Sequence, residues 1–247
     1  RLFDLTTLQR ECNKYFGYSA KQTLDYAQSL YEKKLITYPR TDSRFLTDDM
    51  VDNVKSYVDS FGNDFDEKNF KSIFDFKKVE DHHAVIPTSA SLDFDTTSLQ
   101  GSEEKVFELI KAKLLAARSG NLITENTRLI CGVKGYEFTT TGTVVIDEGY
   151  TKYLTPYIKK KEDKVLPKLD KGDKLKVESK KINEKYTNPP KHYTEDTLLK
   201  AMELAGSDAN QDVELERKGL GTPATRAGML ENLINKELIK RDERKLI

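Results

Sequence analysis

A tyrosine, an arginine and an aspartate alternate along Tyr38-Pro39-Arg40-Thr41-Asp42-Ser43. The proline pushes the residue before it out of the α region and into extended geometry. Alternate side chains of an extended chain share a face, so Tyr38, Arg40 and Asp42 project together. A phenol oxygen can attack phosphorus, and a guanidinium offers a planar two-donor fork for phosphate oxygens. Two readings stand on these residues alone: a phosphoryl-transfer site, or a structural tyrosine at the end of a strand.

The elements that must hold this segment are legible on either side of it. Thr6 followed by Gln9 spells a capping box, with a 3.6-residue stripe of Leu8, Cys12, Tyr15 and Phe16 that stops at Gly17. Ser19 and Gln22 repeat the signal, with Leu24, Ala27, Leu30 and Tyr31 as the buried face of a second helix. Leu35 to Tyr38 is then a short extended piece broken by Pro39. Thr47 is expected to cap a helix that carries Met50, Val51, Val54, Tyr57 and Val58 and ends near Gly62. Residues 62–81 lack a clean period and read as irregular. Ser102 opens the longest helix, with Val106, Phe107, Ile110, Leu114 and Ala117 as its stripe.

From about Asn126 the period changes to two. Residues 127–133 and 136–146 predict strands joined by a tight turn at Lys134-Gly135, and residues 174–182 predict another. Beyond Pro189-Pro190, Thr194 caps a helix to about Leu204. A loop with Gly219 and Gly221 leads into a helix over 224–235, followed by a strand and a polar turn at Asp242-Glu243. Helix, loop, helix and β-wing in that order suggest a winged-helix-like end. The expected fold is therefore α+β and multidomain. A helical domain over 1–125 carries Tyr38, an antiparallel β hinge or arch spans 126–186, and the winged-helix-like part spans 187–247.

Composition bounds the answer. The chain has 247 residues, 37% apolar and 33% charged, against ~45–50% and ~25% in ordinary domains. It is a polar chain with much exposed surface, yet its 12 Tyr and 11 Phe argue against disorder. No apolar run approaches the ~20 residues that cross a bilayer, and no apolar signal segment opens the chain. The expectation is a cytoplasmic protein with no membrane partner. Two cysteines and three histidines are too few for a disulfide scaffold or a Cys- or His-built metal site. The formal charge is zero, but residues 159–191 hold 12 Lys against 6 acids, a weak pointer to a polyanion. The chain opens on Arg1 and closes in an apolar run, which suggests a piece of something longer.

Four boxes in order carry a resemblance. Leu35-Ile36-Thr37-Tyr38-Pro39-Arg40-Thr41-Asp42-Ser43 resembles the active-site box of type IA DNA topoisomerases of the topoisomerase III kind. Leu2-Phe3-Asp4-Leu5-Thr6-Thr7-Leu8-Gln9 is similar to the segment that opens the family's tyrosine-bearing domain. His82-His83-Ala84-Val85-Ile86-Pro87-Thr88 is similar to its histidine box. Lys218-Gly219-Leu220-Gly221-Thr222-Pro223-Ala224-Thr225-Arg226-Ala227-Gly228 resembles its late glycine-rich box.

The resemblance implies that Tyr38 attacks a phosphodiester of single-stranded DNA, giving a 5′-phosphotyrosyl bond and a free 3′ hydroxyl. Resealing then needs no ATP, and another strand can pass the break. It implies that Arg40 grips the scissile phosphate and that His82 bonds a phosphate oxygen. His83 supports that box or exchanges roles with His82. Thr222, Thr225 and Arg226, at a helix start whose free N–H groups favour an anion, are assigned to DNA backbone contact, and Arg44 to a further phosphate contact. Residues 126–186 would form the hinge and arch that lets the gate open.

A tyrosine at its ordinary pKa of ~10 is a poor nucleophile at neutral pH. The family completes the chemistry with Mg2+ carboxylates, a Glu and a Lys on an N-terminal toprim domain. That domain is expected to be missing from this chain and to act as its partner. Asp64-Phe65-Asp66 and Asp93-Phe94-Asp95 spell the acidic signature, but neither follows a buried strand, so both read as solvated loops and no metal ligand is assigned. The implied fragment has the nucleophile without its metal and cleaves DNA poorly or not at all alone. The competing reading is a non-enzymatic winged-helix DNA-binding module with Tyr38 structural. A tyrosine recombinase fits poorly, because that chemistry surrounds its tyrosine with several Arg and His in a helical setting.

Overall fold

Leu2-Phe3-Asp4 runs extended into the first helix, α1 (Leu5–Phe16). Its cap is Asp4, whose carboxylate accepts from the Thr7 N–H at 2.6 Å, and not Thr6 as the capping-box spelling suggests. The reason is tertiary: Val85 N–H donates to the Phe3 carbonyl, so the chain is still in strand geometry at residue 3. Gly17, at φ +76°, ends α1 by returning its N–H to the Asn13 carbonyl. The second helix, α2 (Ala20–Glu32), starts at the expected Ser19/Gln22 capping box. Together the computed structural model describes residues 1–62, 65–159, 162–206 and 219–247.

After the extended Leu35–Leu46 segment, a 3-10 turn over Asp48–Met50 leads into α3 (Val51–Asp59). Thr47 sits at that start but makes no side-chain capping bond. Within the stretch expected to be irregular stands a short helix, α4 (Glu67–Lys71), capped by Asp66 through the Asn69 N–H at 2.7 Å. The 18-residue α5 (Gly101–Arg118) starts one residue before Ser102, with Gln100 at its cap.

Where the period-two pattern was expected, a long hairpin forms from β1 (Ile123–Val133) and β2 (Tyr136–Asp147), in register from Val133↔Tyr136 to Thr124↔Val145 and shifted by one residue at Ile123↔Asp147. Lys134 and Gly135 turn it at φ +47° and +84°, the positive pair a tight hairpin turn requires. A four-residue helix, α6 (Thr151–Leu154), follows. The strand expected over 174–182 is absent. Its alternation is present in sequence, but Leu175, Val177 and Ile182 are exposed and no neighbouring strand pairs with it among the described residues. Alternation without a partner cannot close a ladder.

The C-terminal elements follow the expected order: α7 (Glu195–Leu204), capped by Thr194, α8 (Pro223–Asn235), and a small hairpin of β3 (Arg241–Asp242) with β4 (Lys245–Leu246). Pro223 stands at the first helical turn, where its missing N–H costs no bond. The described residues thus form a mixed α/β structure of eight α-helices and small antiparallel sheets.

α5 is the spine. Its first half (Val106, Phe107, Ile110) packs with Phe3, Leu8, Leu30 and Ile36 in one core. Its second half (Leu114, Leu115) packs with Leu46, Val58, Phe70 and Ile86 in another. Fully burying each such side chain is worth about 1.5–3 kcal/mol. A much smaller cluster, Ala20, Leu199, Ala227 and Leu230, lies where α2 meets α7 and α8.

Candidate active site

The Tyr38 segment is a strap tied on both sides. Leu35 N–H donates to the Leu30 carbonyl at 2.9 Å, and Thr88 N–H donates to the Leu35 carbonyl at 3.0 Å. Thr37 N–H reaches the Ile86 carbonyl at 2.9 Å, while the Thr37 hydroxyl donates to Ala84 O and accepts from Ile86 N. Beyond Pro39, the Thr41 hydroxyl donates to the His82 carbonyl at 2.7 Å, and Leu5 N–H donates to the Thr41 carbonyl at 3.0 Å. The histidine box therefore runs beside the tyrosine box and is bonded to it at both ends.

Burial along the strap alternates as extended geometry demands. Pro39, Thr41 and Ser43 are buried, whereas Arg40 and Asp42 are exposed and Tyr38 is half-buried. Half-buried Tyr38 is thus not walled into a core. Its ring lies 4.5 Å from the His82 ring, centroid to centroid, and 5.3 Å from the ring of Tyr31. His82 is exposed, as is Arg40, so the two bonded segments each present a polar side chain to solvent next to half-buried Tyr38. His83 is turned aside: its Nδ1–H donates to the Ala84 carbonyl at 2.8 Å, which commits that nitrogen.

Two arginines depart from the expected placement. Arg44 donates to Asp4 at 2.5 Å and to Glu203 at 3.1 Å, and so bridges the start of α1 to the end of α7. Burial opposes its charge, but the two carboxylates outweigh this and raise its pKa. Arg226 is 3% exposed. Its guanidinium donates to the Leu220 and Gly221 carbonyls at 3.0 and 3.1 Å and to the Thr6 hydroxyl at 2.9 Å. Its charge is turned inward, pinning the glycine loop to α1, and burial pushes its pKa down.

Thr222 and Thr225 are exposed at the start of α8, where Thr222 N–H donates to the Thr225 hydroxyl at 2.9 Å. Gly219 (φ +66°) is obligatory in the loop before them, since a Cβ there would stand 2.5 Å from the Met202 carbonyl.

No three His, Cys, Asp or Glu side chains converge as a metal site among the described residues, so these residues do not fit a magnesium ion. Asp95 instead caps a 3-10 turn, with Thr97 N–H at 3.0 Å, and Asp93 is exposed. Asp64 lies outside the described residues, and Asp66 is the cap of α4.

Tyr31 is the residue that sequence reasoning missed. Helical periodicity put it on the buried face of α2, yet it is 39% exposed and its ring meets that of Tyr38 edge-on. The available signal was its place in the last turn before the reversal at Lys33-Lys34, which folds the strap back along the helix end.

A family model described as DNA topoisomerase matches residues 1–247. DNA topoisomerase 3 of Bacillus licheniformis is 39% identical over 97% of this chain, and that of Bacillus subtilis is 38% identical over the same share. The chain spans 36% of the length of these relatives. Full-length topoisomerase I of Thermotoga maritima has a similar structure, with a TM-score of 0.71 at 27% identity over 99% of this chain and 39% of that one. With the four boxes in order and the tyrosine strap in place, the chain belongs to the type IA DNA topoisomerase family and is topoisomerase III-like.

Proposed function

We propose that this chain carries the nucleophile of an enzyme that breaks and rejoins single-stranded DNA by transesterification. The Tyr38 oxygen bonds to phosphorus while the bond to the 3′ oxygen breaks. The phenol gives up its proton, the 3′ oxygen gains one, and the strand's 5′ phosphate stays on the protein. Rejoining is the reverse, so the phosphodiester is conserved without ATP. Arg40 holds the phosphate by its two-donor fork and offsets charge that builds in the transition state. His82, whose ring flanks that of Tyr38, donates to a phosphate oxygen, and His83 buttresses the box.

In the same reading residues 1–125 are the tyrosine-bearing body, 126–186 the hinge and arch, and 187–247 a winged-helix-like wall of the strand groove. Thr222 and Thr225 contact the DNA backbone there, while Arg226 and Arg44 serve the groove by fixing the loop and the body that form it. Mg2+ and the toprim part that binds it belong to the longer polypeptide. The observation that carries the reading is the Tyr38 ring at 4.5 Å from the His82 ring on a strap with Arg40 exposed beside it. A DNA-binding module with a structural tyrosine would not need that strap open to solvent.

The test is Tyr38→Phe in the full-length enzyme. Covalent protein–DNA adducts should vanish while the Kd for a single-stranded oligonucleotide stays within about twofold. Adducts that persist, or equal loss of both properties, would refute the assignment.

A further inference from the structure

We infer that Tyr31 is a positioning residue for the Tyr38 nucleophile, a statement that rests on the transesterification proposed above. The strap fixes the backbone at residue 38 through the Thr37 and Thr41 bonds, but backbone bonds do not choose a side-chain rotamer. A half-exposed tyrosine has three staggered χ1 wells open to it. Two rings do the choosing here. His82 lies against one side at 4.5 Å and 57°, and Tyr31 meets another at 5.3 Å and 72°, the edge-to-face arrangement aromatic pairs prefer.

The two supports differ in kind. His82 is exposed, on an irregular loop, and is expected to turn toward phosphate during the reaction. Tyr31 stands on a helix whose end is anchored. Its neighbour Leu30 is fully buried, Lys33 N–H donates to the Ser29 carbonyl at 3.0 Å, and the Lys33 ammonium pairs with Glu103 at 2.6 Å. Lys34, at φ +61°, then reverses the chain so that the helix end faces the strap. Burial does not account for an aromatic residue here, since 39% of Tyr31 remains exposed. Among the described residues, the ring it meets is that of the proposed nucleophile.

Tyr31 touches neither substrate nor reacting atoms in this account. It narrows the rotamers of Tyr38 to the one from which the phenol can align with phosphorus. Losing the ring reopens the other χ1 wells, a factor approaching three, and removes the edge contact that favours the competent well. The expected cost is about tenfold in cleavage rate, equivalent to ~1.4 kcal/mol of barrier.

The experiment compares Tyr31→Leu, Tyr31→Met and Tyr31→Phe in the full-length magnesium-loaded enzyme on a single-stranded oligonucleotide. Single-turnover cleavage at saturating DNA is read beside the oligonucleotide Kd and Tm. The Leu and Met variants should cleave about tenfold more slowly with Kd and Tm near wild type, and Phe, which keeps the ring, should restore the rate to within twofold. Wild-type rates in both Leu and Met variants would overturn the inference. So would a loss confined to Kd, which marks a DNA contact, or a Phe variant as slow as Leu, which marks the hydroxyl. Met keeps the test available if Leu does not fold. Tyr38→Phe run in parallel separates the two claims. If it still forms adducts, the function itself fails; if it forms none while Tyr31→Leu is normal, only the positioning fails.

Discussion

Arg226→Met separates a structural cation from a DNA contact at one position. Sequence reasoning places Arg226 among the groups that touch the DNA backbone, whereas its guanidinium is 3% exposed and makes three bonds at 2.9–3.1 Å, to Leu220 O, Gly221 O and Thr6 Oγ1. Methionine fills the space of the aliphatic stem but donates nothing. Three lost bonds at about 1 kcal/mol each, somewhat more because the donor is charged, set the gross loss near 3–5 kcal/mol. Removing a charge that burial disfavours returns part of it. The net expectation is a destabilisation of about 2–4 kcal/mol, felt where α8 and its loop dock on α1. For a chain of this size that is a fall in Tm of roughly 5–15 °C, read by thermal unfolding of the purified chain. The salt dependence of single-strand binding by the full-length enzyme supplies the second readout. Each phosphate contact contributes about 0.7 to the slope of log K against log salt on single strands. If Arg226 pins the loop, that slope should not change. An unchanged Tm together with a slope reduced by about 0.7 would refute the structural reading and return Arg226 to the DNA.

Two further perturbations probe the parts around the strap. Gly149 has φ +49°, and a Cβ there would stand 2.3 Å from the Asn121 carbonyl, so Gly149→Ala should cost about 2–4 kcal/mol. Limited proteolysis at the root of the hairpin should accelerate, and wild-type resistance with an unchanged Tm would disprove the close approach. Burial pushes the Glu103 carboxyl up, but bonds from Lys33 and Ser29 prevail and hold its pKa below the ordinary value. A carboxyl with a lower pKa folded than unfolded stabilises above its unfolded value and loses that contribution as pH falls through the folded one. The stability gap between wild type and Glu103→Gln, about 1 kcal/mol for a pair with a 40%-exposed lysine, should therefore be full at neutral pH and close as pH falls through and below the ordinary carboxyl range. A gap that stays constant in denaturant titrations across that range would exclude the pair as its source.

What could be read before folding was whatever depends on a few neighbouring residues. The caps at Ser19 and Thr194, the Lys134-Gly135 turn and the order of helix, helix and short hairpin are local, and each appears. Asp4 displaced Thr6 as a cap because a partner at Val85, about eighty residues on, keeps residue 3 extended. α4 has five residues, too few for a hydrophobic period to show. Residues 174–182 have the period but lack a partner strand among the described residues, and a strand is a property of two segments. The site divides in the same way. Alternation about Pro39 is local, and it correctly leaves Arg40 and Asp42 exposed with Thr41 buried. The company a cation keeps is not local: Arg44 finds Asp4 across 40 residues and Glu203 across 159, and no spacing rule announces either. Tyr31 was assigned inward because the buried stripe was drawn through Leu24 and Tyr31, whereas it runs through Ala20, Thr23, Ala27 and Leu30 and leaves Tyr31 at its edge.

The unequal strength of the contacts around Tyr38 has a mechanical meaning. The strap is bonded through backbone to residues 84–88 and sits over two apolar cores that share α5, so it moves only with the whole body to which it belongs. Its contact with α7 and α8 is of a different kind. The apolar part there is Ala20, Leu199, Ala227 and Leu230. Around it stand two half-exposed ion pairs, Arg10 with Asp196 at 2.9 Å and Arg44 with Glu203 at 3.1 Å, beside a buried bond from Ala20 N–H to the Glu195 carboxylate at 2.6 Å. Half-exposed ion pairs contribute about 0–1 kcal/mol each, because water and salt replace them when they part. Core side chains have no such substitute. The half-exposed ion pairs beside α7 are therefore the contacts that part at low cost, while the buried Arg226 bonds to Thr6 and the glycine loop hold α8 to α1, and the backbone bonds to residues 84–88 keep Tyr38 beside His82. Arg44, six residues from Tyr38, belongs to both sets: its pair with Glu203 is half-exposed, while its bond to Asp4 reaches the buried cap of α1.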